Sequence, residues 1–143
     1  MRKQLFLAVT QRLKSRVPQL AHFDLWNQNV EFIEQEAVFA MPAVFMEFKP
    51  IHWETLNGGI QQADIVFCLH VVTQWVHPSL DGSPYQEDSL QIFDLLDDIA
   101  AALHGMQGSG YTGCVRTDSA TNHNHEDIRE DIETFRIRVT GKL

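Results

Sequence analysis

Residues 42–74 read PAVFMEFKPIHWETLNGGIQQADIVFCLHVVTQ, and this stretch decides the fold. Residues 43–49, AVFMEFK, alternate in the sense of a strand. Residues 64–74, DIVFCLHVVTQ, form a nearly continuous β-branched and aromatic run. Ile65, Phe67, Leu69 and Val71 take one face of that run; Val66, Cys68, His70 and Val72 take the other. Apolar residues on both faces predict a central strand covered on both sides, by helices on one and by a second subunit on the other. Gly58-Gly59 connects the two strands, so the pair is expected to be antiparallel.

Working outward, residues 2–16 carry Leu5, Val9 and Leu13 at helical spacing, with Phe6 widening the stripe. Pro18 ends this helix because it disfavours helical geometry in the residue before it. Residues 18–28 are expected to be an irregular connection holding Phe23 and Trp26, followed by a strand over 29–34. Pro42 marks a strand edge or start. Val76–Glu87, with two prolines and a glycine, reads as a loop. A second helix is expected from Glu87 to His104, with Leu90, Phe93, Leu96, Ile99 and Leu103 as its apolar stripe. Asp88 or Ser89 would cap its start and Gly105 its end. Strands at 112–120 and 132–140 follow, the last with Phe135, Ile137 and Val139 inward and Arg136 and Arg138 outward. The order helix, strands, helix, strands predicts an α+β fold: a mainly antiparallel sheet with two helices packed on it, in one domain spanning 1–143.

Composition sets the outer bounds. At 143 residues, a folded domain buries roughly 70% of its unfolded surface. The sequence has no apolar run near the roughly 18 residues of a membrane span. The basic start with its short apolar patch stops at Gln11 and Arg12, too soon for a signal peptide, so the N-terminus is expected to be mature. Cys68 and Cys114 both fall in expected strands and read as buried small hydrophobes. The net charge is −8, but it is segregated. Residues 1–16 hold Arg2, Lys3, Arg12, Lys14 and Arg16 and no acid, whereas residues 17–115 hold Lys49 alone against many acids. That pattern disfavours general nucleic-acid binding, which needs a basic face. It fits a basic helix on one copy meeting an acidic surface on another.

Four features of the sequence could carry chemistry. An H-x-H step at His123 and His125 could ligate a divalent ion, with His70, His77 or Asp127 as third ligand; its surroundings have the composition of a solvated turn. Asp94, Asp97 and Asp98 have no base at i±4 and lie off the apolar stripe, as a solvated acidic face does. Gly105, Gly108, Gly110 and Gly113 lack the Lys-Ser/Thr of a phosphate loop. No nucleophile signature is present in the sequence. Trp53 and Trp75 flank the two long polar connections, 54–63 and 76–87, and the second of these also holds Tyr85. Together with Arg12, Arg16, Asp94 and Asp98 they are the candidate interface residues.

PAVFMEF, then W-x-x-x-x-G-G, then ADIVFCLHVVTQ, resembles the tail completion or tail terminator proteins of long-tailed phages and prophages. The similarity continues through IFDLLDDIAAALHG and CVRTDSATNHNHEDIREDIETFRIRV, so it spans about residues 2–140 as a pattern, from which EQEAVFAMP and the NHNH turn depart. The resemblance implies a structural protein that caps the tail tube and joins it to the head connector. Such proteins form rings, commonly hexameric, and act without catalytic residues or cofactor. Its partners would be copies of itself, the tail tube protein and the head–tail connector, with no membrane and no sequence-specific nucleic acid. It would be found in the bacterial cytoplasm during assembly and then in the virion tail. Two other readings stand beside it: a metal-dependent hydrolase or small metal-binding domain using His123 and His125, and an adaptor of a secretion system built on tail-like parts.

Overall fold

A computed structural model describes residues 1–27, 30, 39–75, 79–125 and 127–143. The fold is α+β, with helices α1 (Arg2–Arg16) and α2 (Gln86–Leu103) and six strands: β1 (His22–Leu25), β2 (Ala43–Phe48), β3 (Glu54–Thr55), β4 (Ile60–Gln74), β5 (Tyr111–Asn122) and β6 (Ile128–Lys142). The sheet order is β1-β2-β4-β6-β5, with β3 paired to β4. All pairings are antiparallel except β1 with β2.

The expected central strand is central. Strand β4 pairs with β6 residue for residue, from Ile60 opposite Lys142 to Gln74 opposite Ile128. Fifteen residues of extended chain span about 50 Å. Helices α1 and α2 have 15 and 18 residues, so they are only about 22 and 27 Å long. Even laid along the ladder, neither helix reaches both of its ends. One end is a hairpin tip, where the expected loop 54–63 is instead β3, a turn at Asn57–Gly59, and the start of β4. Gly58 and Gly59 both have positive φ, which the turn demands and a side chain would strain.

The main core lies between the helices and one sheet face. Leu5, Val9 and Leu13 of α1 and Leu95, Leu96, Ile99, Ala102 and Leu103 of α2 pack on Ile65, Phe67, Leu69, Val71, Phe135, Ile137 and Val139. The Phe67 and Phe135 rings, opposite each other in the register, stack with centroids 5.5 Å apart. Cys114 joins this core, and burial pushes its thiol up to about 11. Cys68 lies on the other face beside Thr134, and both cysteines are free.

Several expectations need correction. Residues 22–25, read as irregular, form edge strand β1. The strand expected over 29–34 lies outside the described residues apart from Val30. On α2, Leu90 and Phe93 are exposed and Leu95 is buried. The expected stripe advanced in steps of three, and each such step falls about 60° short of a full turn. From residue 90 to 99 that drift carries the line about 180° around the helix. No side-chain cap closes the start of α2, whereas Gly105 does follow its end with positive φ. Finally, the second face of β4 is partly covered by the chain itself, since Trp26, Val30, Phe39 and Met41 cluster with Phe45, Val72 and Ile128 there.

Truncating Phe135, fully buried in that stack, should cost about 3–5 kcal/mol. Chemical denaturation of Phe135→Ala checks this, and a loss below about 1 kcal/mol would show that the core lies elsewhere.

Candidate functional site

The inward alternation of β6 continues upstream from Phe135, but with acids at the apolar positions. Glu133 pairs with Leu69, and Asp131 with Val71, and both carboxylates are buried on the helix side. Buried charge must be partnered, and the neighbouring strand β5 and Arg129 of β6 itself supply the partners. Thr121 Oγ1 donates to Asp131 at 2.7 Å, and Arg129 grips the same carboxylate through Nε at 2.7 Å and Nη2 at 3.0 Å. Ser119 Oγ donates to Glu133 at 2.5 Å, and Arg116 Nη1 stands 3.5 Å away. Burial pushes the Glu133 carboxyl above its ordinary value, more than the Ser119 hydrogen bond and the Arg116 charge lower it.

Arg129 also builds the surface above it. Its guanidinium lies 5.4 Å from the Trp75 ring and 5.1 Å from the Phe93 ring. Beside this aromatic pair a groove of about 580 Å³ runs between α2 and the end of β4. Trp75, Ile92 and Leu95 give it apolar walls, and Asp88, Asp94 and Asp98 give it acidic ones. Arg129 is committed to Asp131, and no described cation pairs with those three acids.

Three expected interface residues, Trp75, Asp94 and Asp98, thus meet in one place. Tyr85, about half exposed, stands at the N-cap of α2. Trp53 does not join them. It precedes β3, which pairs near Gln62, and twelve strand residues separate that point from Gln74, about 40 Å. There Trp53, Leu56 and Ile60 are exposed around the hairpin tip. Asp97 departs from the expected unpaired face, since Arg116 of β5 reaches it at 3.4 Å.

Arg12 turns inward. Its Nε donates to the Ala102 carbonyl at 2.7 Å. The last carbonyls of a helix lack partners within it and carry partial negative charge, and α2 has no base in its own last turn. Arg12 therefore serves α2 of its own chain. Arg16 remains exposed.

The second sheet face holds a feature that sequence reasoning missed. Trp26 stacks flat on His70, with centroids 3.8 Å apart. The buried imidazole lies 3.5 Å from Glu47 and 3.8 Å from the buried Glu130, while Asn122 donates to Glu130 at 3.0 Å. Burial pushes the Glu130 carboxyl up, but His70 and Asn122, with His125 beyond, outweigh it and hold the group below its ordinary value. Strand parity puts His70 and Cys68 on one face of β4; only the β4–β6 register brings Glu130 to that face, and no local pattern carries it.

His123 and His125 lie in the turn between β5 and β6, not in a strand. Among the described residues no three His, Cys, Asp or Glu side chains converge to hold a metal ion, and His77 lies outside those residues. The glycine-rich segment serves packing: Thr140 N–H donates to the Gly110 carbonyl, and a Cβ at Gly110 would sit 2.8 Å from the Thr140 oxygen. No helix among the described residues is long and apolar enough to cross a membrane.

The fold has a solved counterpart. It is similar to a chain of the virion of a native gene transfer agent (GTA) particle, with a TM-score of 0.58 and 17% identity, over 96% of this chain and 95% of that one. At that identity the likeness establishes a shared fold. No family model matches the chain, and no curated protein sequence matches it.

Two outcomes follow from the site. Arg12→Ala should destabilise the fold by about 1–2 kcal/mol, measured by thermal melting of the monomer. Unchanged melting would return Arg12 to the surface candidates. The raised Glu133 carboxyl means the folded state holds that proton more tightly than the unfolded one, so its contribution is full below about 4.5 and is lost as pH rises through the folded value. Glu133→Gln should therefore melt higher than wild type at neutral pH, with the gap closing in acid. A gap of the opposite sign at neutral pH would contradict the assignment.

Proposed function

We propose that this chain is a structural subunit of a phage-type virion or virion-like particle, acting as a tail completion protein that caps the tail tube and joins it to the head connector. The observation that carries the reading is the fold likeness to a gene transfer agent virion chain, which runs through nearly the whole of both chains. The sequence resemblance to tail completion and terminator proteins, over about residues 2–140, points the same way.

In this reading the protein works by surface complementarity and needs no catalytic group or cofactor. Copies assemble into a ring, as head-to-tail contacts that close will do. Its partners are the tail tube protein below and the connector above. Two places suit such contacts: the exposed hairpin tip at Trp53, Leu56 and Ile60, and the acidic aromatic groove at Trp75. They stand at opposite ends of the long ladder, so a subunit built this way reaches across a ring and past it. Acidic surface facing the bore would let DNA pass without adhering. Assembly would take place in the bacterial cytoplasm before the subunit enters the virion tail.

Electron microscopy of lysates from a particle-producing strain lacking this protein tests the role. Abnormally long tails detached from heads are expected. Tails of normal length joined to heads would overturn it.

A further inference from the structure

We propose that the groove at Trp75 receives the outward face of helix α1 from a second copy of this chain, with Leu7 as the apolar anchor and Lys3 and Lys14 as the charges. The proposal deepens the assembly reading above and rests on it.

Helix α1 has two unlike faces. Leu5, Val9 and Leu13 bury one side of this helix. At about 100° per residue the opposite side carries Lys3, Leu7, Gln11 and Lys14, and all four are exposed. Leu7 is 55% exposed on a helix whose other leucines are buried. No acid lies anywhere on α1 to compensate its bases. Arg12, the base that sequence alone made a contact candidate, is spent on the end of α2. Lys14 lies 5.6 Å from the Phe23 ring centroid, and no described carboxylate pairs with it.

The groove is the complement. Trp75, 49% exposed, and the part-buried Ile92 give it apolar ground, and the Phe93 ring flanks it across Arg129. Asp88, Asp94 and Asp98 rim this apolar ground with no described cation paired to them. The spacing also agrees. Lys3 and Lys14 are eleven residues apart on a helix, about 16 Å, and Asp88 and Asp98 are ten apart, about 15 Å. One chain therefore displays a cationic stripe with a central leucine, and an acidic trough with an apolar floor of the same length. The two patches are different surfaces, so the contact is head-to-tail and propagates from copy to copy. Its electrostatic share should weaken with salt.

Sedimentation velocity of the full chain tests this with a charge exchange. Wild type should self-associate at low ionic strength, less so at high salt. Lys3→Glu with Lys14→Glu, and separately Asp88→Lys with Asp98→Lys, should each weaken association about tenfold or more. Circular dichroism should show both variants folded. Mixing the two should restore assembly, because each stripe then meets a groove of opposite charge. Leu7→Ser should weaken association without changing its salt dependence. Variants that assemble as wild type does would overturn this contact and leave the capping role standing on other surfaces. A wild-type chain that stays monomeric at every concentration also overturns the contact, while tail morphology judges the role independently.

Discussion

The structure depends on the antiparallel ladder between β4 and β6. Fifteen residues of one strand face fifteen of the other without a bulge, and β2, β3 and β5 are laid on its flanks. Strand pairing alone is weak in water; this ladder holds because Phe67, Ile65, Leu69 and Val71 meet Phe135, Ile137 and Val139 under two helices. Its register is strongly specified, since a slip of one residue would bring Arg136 and Arg138 into that core. The same length makes it impossible for either helix to cover both ends, so the fold carries projecting surface as a consequence of its framework.

The ladder also explains why charge is concentrated where it is. Toward Trp75 the inward positions of β6 change from Phe135 to Glu133 and Asp131. Ser119, Thr121, Arg116 and Arg129 are required there as partners. Satisfying Asp131 fixes Arg129, and Arg129 in turn holds Trp75 and Phe93 in place at the surface. A buried polar requirement thus organises an exposed aromatic one. The acids of α2 nearby keep their field because the local base is already engaged.

Much of this was legible in the sequence. Strand β4 and the end of β6 announce themselves because period-two alternation with β-branched and aromatic residues has few competing readings. Helix α1 reads correctly because steps of four stay on one face. Helix α2 was found, but its buried side was misassigned, since steps of three drift around the cylinder. Strand β1 is four residues beside a parallel partner and has too little pattern to detect. The roles of Arg12 and of the His70–Trp26 stack are set by contacts between residues far apart in sequence, ninety residues in the first case. No local periodicity encodes them. The gathering of Trp75, Asp94 and Asp98 was suggested by residue type; the groove that unites them with Arg129 required the fold.

A capping subunit must offer complementary surfaces to its copies and to what lies above and below, and this fold places its exposed aromatic and charged groups at the ends of a rigid strand pair. The most direct measurement is a cryo-electron microscopy reconstruction of intact particles that contain the chain. The account predicts a closed ring of this subunit between the tail tube and the head connector, with the β4–β6 ladder reaching from one neighbour toward the next. Particles whose tube meets the connector with no density for this fold would contradict it.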